Sequence, residues 1–302
     1  MVFSPPKSTG LAVGLGAMAL IAGLEAVLVV RLPALFPSPL AFIFLCLIVV
    51  GLPALLWLGY RCYGLARARY VLSRNALVVE WGGRREVIPL GMIDDVRAGT
   101  EMGPAPRPRG IVWSGHHVGR AAAPDLGAVE FLAAAELPGL VFIHYPGDWL
   151  AISPPDPQAF AAAYARLRAE GVEERIEPET RLPALEQWAL WRDPLSLGLI
   201  VAGGAGVLLL VGYLTLIFPQ LPPQIALHFN AQGQPDRFGP PMGLFLLPVI
   251  AGVAWTLNTL GGLWLHRRET ERAGAYLLFG ATVFVQALVW AAAIGLLTAG
   301  RA

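Results

Sequence analysis

Trp149-Leu150-Ala151-Ile152-Ser153-Pro154-Pro155-Asp156-Pro157-Gln158-Ala159-Phe160 is the stretch on which the reading of the 302-residue chain turns. Its first four residues suit a strand. Three prolines within the next five positions stop that strand, because proline has no amide hydrogen to give to a ladder. Phe160, Ala163, Tyr164 and Leu167 then recur at helical spacing, so a helix is expected over 157–169, with Ser153 or Asp156 as its cap. Upstream, residues 70–73, 76–81, 84–89, 92–97, 129–133 and 140–144 read as further strands. Gly82-Gly83 and Pro146-Gly147 are turn pairs between neighbours. A Gly/Pro/Arg-rich segment, 99–127, interrupts the pattern. Seven strands followed by one helix predict a small barrel or bent sandwich, with Phe160, Tyr164 and Leu167 covering one open end.

Outward from this polar middle the chain becomes apolar. Runs at 11–30, 40–60, 196–218, 243–265 and 275–297 are each long enough to span a bilayer, and Glu25 is the only charge deep within one. Charged residues make up 14% of the chain, against about 25% in an ordinary soluble domain. That composition excludes wholesale disorder. Two cysteines, Cys46 and Cys62, exclude a disulfide-stapled module. A net charge of +1 argues against a dedicated nucleic-acid binder. The first run is longer than a signal peptide's apolar core and no small-residue cleavage site follows it, so it reads as half of a retained hairpin.

Basic residues near the span ends alternate. Lys7 precedes the first run, Arg61, Arg67 and Arg69 follow the second, Arg181 and Arg192 precede the third, and Arg267, Arg268 and Arg272 separate the last two. The facing connections hold only Arg31, Arg237 and Arg301. Positive residues favour the inner side. The chain is therefore expected in the cytoplasmic (inner) membrane, multi-pass, with its N-terminus and middle domain cytoplasmic and its C-terminus outside. The expected organisation is a two-span hairpin at 1–62, a cytoplasmic domain at 63–172, a linker at 173–194, and a three-span membrane domain at 195–302 with an outer loop at 219–242.

Two resemblances carry the reading further. The stretch from Trp149 to Phe160 is similar to the closing strand, S-P-x-D-P turn and helix start of the bacterial pleckstrin-homology-like (PH-like) domain. Arg109-Gly110 through Gly119-Arg120, with Asp125-Leu126-Gly127, resembles the segment before that family's fifth strand. The resemblance covers about 65–170 and implies a fold more than an activity: eukaryotic relatives often bind phosphoinositides or peptides, whereas bacterial ones have no settled common ligand. The fold class expected is an α-helical integral membrane protein with an inserted β-barrel/sandwich PH-like domain capped by a C-terminal helix. In the outer loop, His228, Phe229, Asn230, Gly233, Pro235, Asp236 and Gly239 resemble the H-F-N…G-x-P-D pattern of a membrane-associated domain of unknown function, found in immunity proteins of a sporulation-delay toxin system. Pro241 stands where that pattern usually has Lys.

Candidate ligand or partner residues are Arg84, Arg85, Arg107, Arg109 and Arg120, as contacts to anionic lipid headgroups. In the outer loop they are His228, Phe229, Asn230, Asp236 and Arg237, as a recognition surface for a protein or peptide. Glu25, Asn258 and Gln286 are the intramembrane polar residues, with Thr256, Asn258 and Gln286 expected to bond between helices. His116 and His117 are adjacent and unsuited to share a metal. No catalytic residue, metal or cofactor is expected, since no nucleophile-and-base signature is present. The function expected is a membrane-anchored sensor, immunity or scaffold protein with the bilayer and a protein or peptide as partners. Two alternatives stand beside it: a small transporter or channel component using Glu25, Asn258 and Gln286, and a membrane-embedded hydrolase using His228 and Asp236.

Overall fold

The structure, a computed structural model, describes residues 1–101, 108–109, 112–123, 126–230, 232 and 234–299. Among the described residues, five helices are long and apolar enough to cross a membrane, at Ser8–Leu35, Pro39–Arg67, Pro194–Gln220, Pro241–His266 and Glu269–Thr298. The protein is a multi-span membrane protein. Its chain divides into two compact units, Met1–Leu24 with Gly51–Ala184, and Glu25–Val50 with Leu185–Ala302.

In the first unit the strand β1 (Val2–Phe3) precedes helix α1 (Ser8–Leu35), and α2 (Pro39–Arg67) leads into the strands β2 (Arg69–Leu72), β3 (Ala76–Trp81) and β4 (Arg84–Pro89). β5 (Asp95–Ala98), β6 (His117–Ala123), β7 (Gly127–Ala133), β8 (Val141–Tyr145) and β9 (Asp148–Ile152) follow, then α3 (Pro157–Glu170) and β10 (Glu179–Arg181). Both turn pairs behave as read. Trp81 faces Arg84 across Gly82-Gly83, with Gly82 at φ +63°, and Tyr145 faces Asp148 across Pro146-Gly147.

The strands form two open sheets, β1-β2-β3-β4-β10 and β5-β8-β9-β7-β6. Of the two forms expected, a barrel or a bent sandwich, the domain is a sandwich. The physical reason lies at the edges. β1 pairs with β2, and β10 pairs with β4, so both outer strands of the first sheet are already occupied by segments from outside 70–152. β6 lies within the segment read as irregular, where small Gly and Ala residues hide the two-residue alternation.

Tyr70, Leu72, Leu77, Ile93, Leu132, Ile143, Leu150 and Phe160 are among the buried side chains that fill this core, joined by Leu65 from the last turn of α2. Asp156, not Ser153, caps α3, accepting from the amides of Gln158 and Ala159 at 2.9 Å. Ser153 is buried instead, where its hydroxyl accepts from the Ala134 amide at 2.7 Å. Tyr70 sends its hydroxyl to the Leu132 carbonyl at 2.7 Å, which ties one sheet to the other. The α3 face of Phe160, Tyr164 and Leu167 closes the core.

The start of α1 is pinned to the domain. The Trp113 indole donates to the Gly10 carbonyl at 2.9 Å, and a Cβ on Gly10 would stand 2.1 Å from the Gly115 carbonyl oxygen. The fully buried His116 stacks on Trp113 with ring centroids 3.9 Å apart, and neither of its ring nitrogens has a hydrogen-bond partner among the described residues.

The second unit is built on α5 (Pro194–Ile217), α6 (Leu246–His266) and α7 (Arg272–Ala299), after the one-turn helix α4 (Ala184–Gln187). A hairpin of β11 (Ile225–Phe229) and β12 (Pro235–Gly239) joins α5 to α6. Small residues let the helices approach closely. A Cβ on Gly203 would lie 2.6 Å from Thr282 and 2.8 Å from Trp255. The indoles of Trp255 and Trp290 donate across to the Ile200 and Gly206 carbonyls of α5.

Replacing Phe160 by Ala is expected to lower the stability of the domain by about 3–5 kcal/mol, read as a shifted denaturation midpoint of the detergent-solubilised protein. A midpoint unchanged from wild type would show that α3 does not close the core.

Burial, and then the nearby Arg61 guanidinium, lower the His116 pKa from 6.5 to about 4. Between those values the unfolded chain binds a proton that the folded protein does not. His116 therefore costs no stability above about pH 6.5, and stability falls on acidification towards about pH 4, by roughly 1.4 kcal/mol per pH unit. Denaturation at about pH 7.5 and about pH 5 should give a smaller difference for His116→Leu than for wild type. Equal differences would remove His116 as the cause.

Candidate functional site

The β11–β12 hairpin brings most of the outer-loop residues together. Ile225 and Ala226 are buried at its base, and Ile225 packs with Leu214, Leu244 and Phe245. Above that anchor the backbone is held by side chains. The Asn230 carboxamide oxygen accepts from the Gln232 and Gln234 amides at 3.0 and 2.8 Å, and the Asn230 amide donates to the Gln234 carbonyl. His228 Nδ1 lies 2.6 Å from Asp236 Oδ1, both side chains being exposed. Arg237 faces His228 in the register, Phe229 is half-buried, and Phe238 is exposed. Gly233 lies outside the described residues. The described residues of the hairpin, tied by these bonds, present a histidine–carboxylate clasp, an arginine and an aromatic ring. Among the described residues no group of three or more His, Cys, Asp or Glu is arranged to hold a metal ion.

The arginines of the sandwich have different environments. Arg84 is largely buried and binds Glu130 with two nitrogens at 2.8 and 2.6 Å, and Glu86 at 2.9 Å. Burial opposes ionisation of Glu130, but Arg84 outweighs it and holds the carboxyl below its usual range. Tyr145 donates to Glu86 at 2.9 Å, so this network also crosses between the sheets. Arg85 and Arg120 are exposed, with Glu80 and Glu130 at 3.8 and 3.6 Å. Arg109 is exposed and forms a bridge with Arg120 through its amide. Arg107 lies outside the described residues.

Within the helices, Glu25 and Gln286 are buried, and each leaves an oxygen without a partner among the described residues. The Gln286 amide reaches the Ala251 carbonyl of α6 at 3.5 Å. Thr256, expected to bond between helices, donates to Gly252 of its own helix. Asn258 is half-buried on α6.

One cluster was missed in the sequence. Asp193 caps α5, accepting from the Ser196 amide at 3.1 Å on Oδ1. Its Oδ2 accepts from the Ser196 hydroxyl at 2.7 Å, the Tyr276 hydroxyl at 2.8 Å and His266 Nε2 at 3.0 Å. Burial opposes ionisation, but the Ser196, His266 and Tyr276 hydrogen bonds prevail and keep this carboxyl well below the usual range. The local signal was Asp-Pro-x-Ser at the head of an apolar run, a capping pattern. His266 and Tyr276 carry no such signal, being 73 and 83 residues away.

Residues 68–168 match the bacterial PH domain family, and residues 205–252 match a domain of unknown function, DUF1648. The second match covers the hairpin and the helix segments on either side of it. No curated protein and no solved structure matches the chain. The chain is thus a multi-span membrane protein that carries a bacterial PH domain and a DUF1648 domain.

Proposed function

We propose that the protein is a sensor or immunity protein of the cytoplasmic membrane, which receives a protein or peptide at the β11–β12 hairpin and presents the PH-like domain to the cytoplasm as its interaction module. The side-chain hydrogen bonds of the hairpin carry this reading. Asn230 and the His228–Asp236 clasp hold the backbone, so that Phe238 and Arg237 are displayed without a large ordering cost on binding. The resemblance of the hairpin motif to toxin-immunity proteins supports a peptide or protein as the occupant. Arg85, Arg109 and Arg120 are the exposed basic groups we assign to anionic headgroups, whereas Arg84 serves the sandwich through its carboxylates. A transport reading is favoured by one observation, the unpartnered carboxyl oxygen of Glu25 within α1.

Charge alternation supports an orientation with the N-terminus and the PH-like domain inside and the C-terminus outside. Reporter fusions at residues 35, 120, 230, 270 and 302 are expected to read out, in, out, in, out. An outside reading at 120 would overturn the orientation.

A photo-crosslinking residue in place of Phe238 is expected to give one discrete adduct in cells, weakened when Asn230→Ala loosens the loop. Stoichiometric zinc in the purified protein that disappears in His228→Ala would instead favour the hydrolase alternative.

A further inference from the structure

The outer edge of β4 is covered by the chain's own linker. β10 pairs antiparallel with β4, Glu179 facing Val87, Thr180 facing Glu86 and Arg181 facing Arg85. Before this pairing, Ile176 shares a cavity with Pro89 and Met92, and after it Pro183 stands 3.3 Å from where a Cβ on Gly83 would be. The linker is seated by its backbone more than by its side chains. Thr180 and Arg181 are exposed, Glu179 is half-buried, and the Arg181 guanidinium pairs with Glu179 of its own strand. Pro178, opposite Ile88 in this register, has no amide hydrogen with which to extend the ladder. The cavity beside Pro89 and Met92 measures about 600 Å³, and Val172 and Ile176 stay 47% and 38% exposed at its wall instead of filling it.

β4 itself is firmly placed. It pairs with β3 along its whole length, Ala76–Trp81 against Arg84–Pro89, and Glu86, Val87 and Ile88 are buried. When a loosely seated cover lifts from such an edge, a row of backbone donors and acceptors is left to be matched, and an extended peptide can match it by adding as a strand. We propose that the outer edge of β4 is the partner site of the PH-like domain: it accepts an extended polypeptide segment as an added strand, and β10 is the resident segment that such a partner displaces. The assignment rests on the PH-like domain being an interaction module, and not on what the hairpin receives. β10 holds the edge because its attachment to the same chain gives it a high effective concentration. A partner without proline opposite Ile88 continues the ladder where β10 stops, which is its advantage over the resident strand. The linker that carries β10 runs on into α5, so the strand that fills the edge is tied to a membrane helix.

The test uses the full-length protein in nanodiscs, with Cys46→Ala and Cys62→Ala removing the native thiols. In amide hydrogen exchange, β10 should exchange about tenfold or more faster than β3, through local opening. A synthetic peptide with the sequence of residues 176–183, carrying Pro178→Ala and a photo-crosslinker in place of Thr180, is then irradiated with three forms of the protein at about 1 mM, the effective concentration of a short tether. The first is otherwise unaltered. In the second, Thr180→Pro opens the strap by removing its central amide. In the third, Arg85→Cys with Arg181→Cys locks it, as a disulfide or, failing that, through a short bismaleimide. Cross-linking to residues 84–89 should rise about tenfold or more from the locked to the opened form, with the unaltered form between them. Amides of β10 that exchange as slowly as those of β3, equal labelling of the opened and locked forms, or adducts that map away from β4 would each overturn the proposal. These readouts concern β4 and β10 alone, so their failure leaves the hairpin reading standing, and a missing adduct at Phe238 would leave them unchanged.

Discussion

The hydroxyl of Tyr70 fixes how the two sheets of the sandwich meet. That residue sits on β2 in the first sheet, fully buried, and its hydroxyl donates to the Leu132 carbonyl on β7 of the second. The Ser153 amide donates to the Tyr70 hydroxyl oxygen at 3.3 Å, and the Ser153 hydroxyl accepts from the Ala134 amide. Each of these buried polar groups has a partner, so none bears the desolvation penalty of a lost one. Burial pushes the Tyr70 pKa up, so the hydroxyl stays protonated and remains a donor. Ser153 is the residue between β9 and the proline turn. Its bonds hold the end of β9 to the Ala134 amide beyond β7 and to Tyr70 of the first sheet.

A second polar link works by charge. Arg84 on β4 joins Glu86 on its own strand to Glu130 on β7, and Tyr145 on β8 completes the set. Breaking such a pair by removing one partner strands the other charge in a partly buried place. The two links act at different points between the same two sheets, while the apolar core supplies the bulk of the cohesion. The sandwich therefore does not need the closed ladder of a barrel.

In the second unit the apolar effect cannot drive helix against helix where both already lie in hydrocarbon, so close packing and hydrogen bonds take over. Gly203 and Gly206 on α5 accept the neighbouring Trp255, Thr282 and Gln286 side chains. Polar groups concentrate at the two ends of these helices. One end carries the hairpin, with a histidine–carboxylate pair exposed. At the other end the same chemistry, Asp193 with His266, is buried and extended by Ser196 and Tyr276.

The sequence by itself determined the features that depend on neighbours a few residues apart. Five spans follow from the length of apolar runs, the two tight hairpins from Gly82-Gly83 and Pro146-Gly147, and α3 from the spacing of Phe160, Tyr164 and Leu167. Asn230 and Asp236 were legible as loop-shaping residues because turn chemistry is local. Tertiary structure alone decided that Val2–Phe3 and Glu179–Arg181 complete a sheet, because edge pairing depends on which backbone is left free. It also decided that Asp156 and not Ser153 caps the helix, that Arg84 is held by Glu130, and that His266 and Tyr276 meet Asp193. Each of those outcomes is a choice among polar partners far apart in the chain. Local periodicity carries no record of such a choice, since it is made by burial and geometry once the segments are packed.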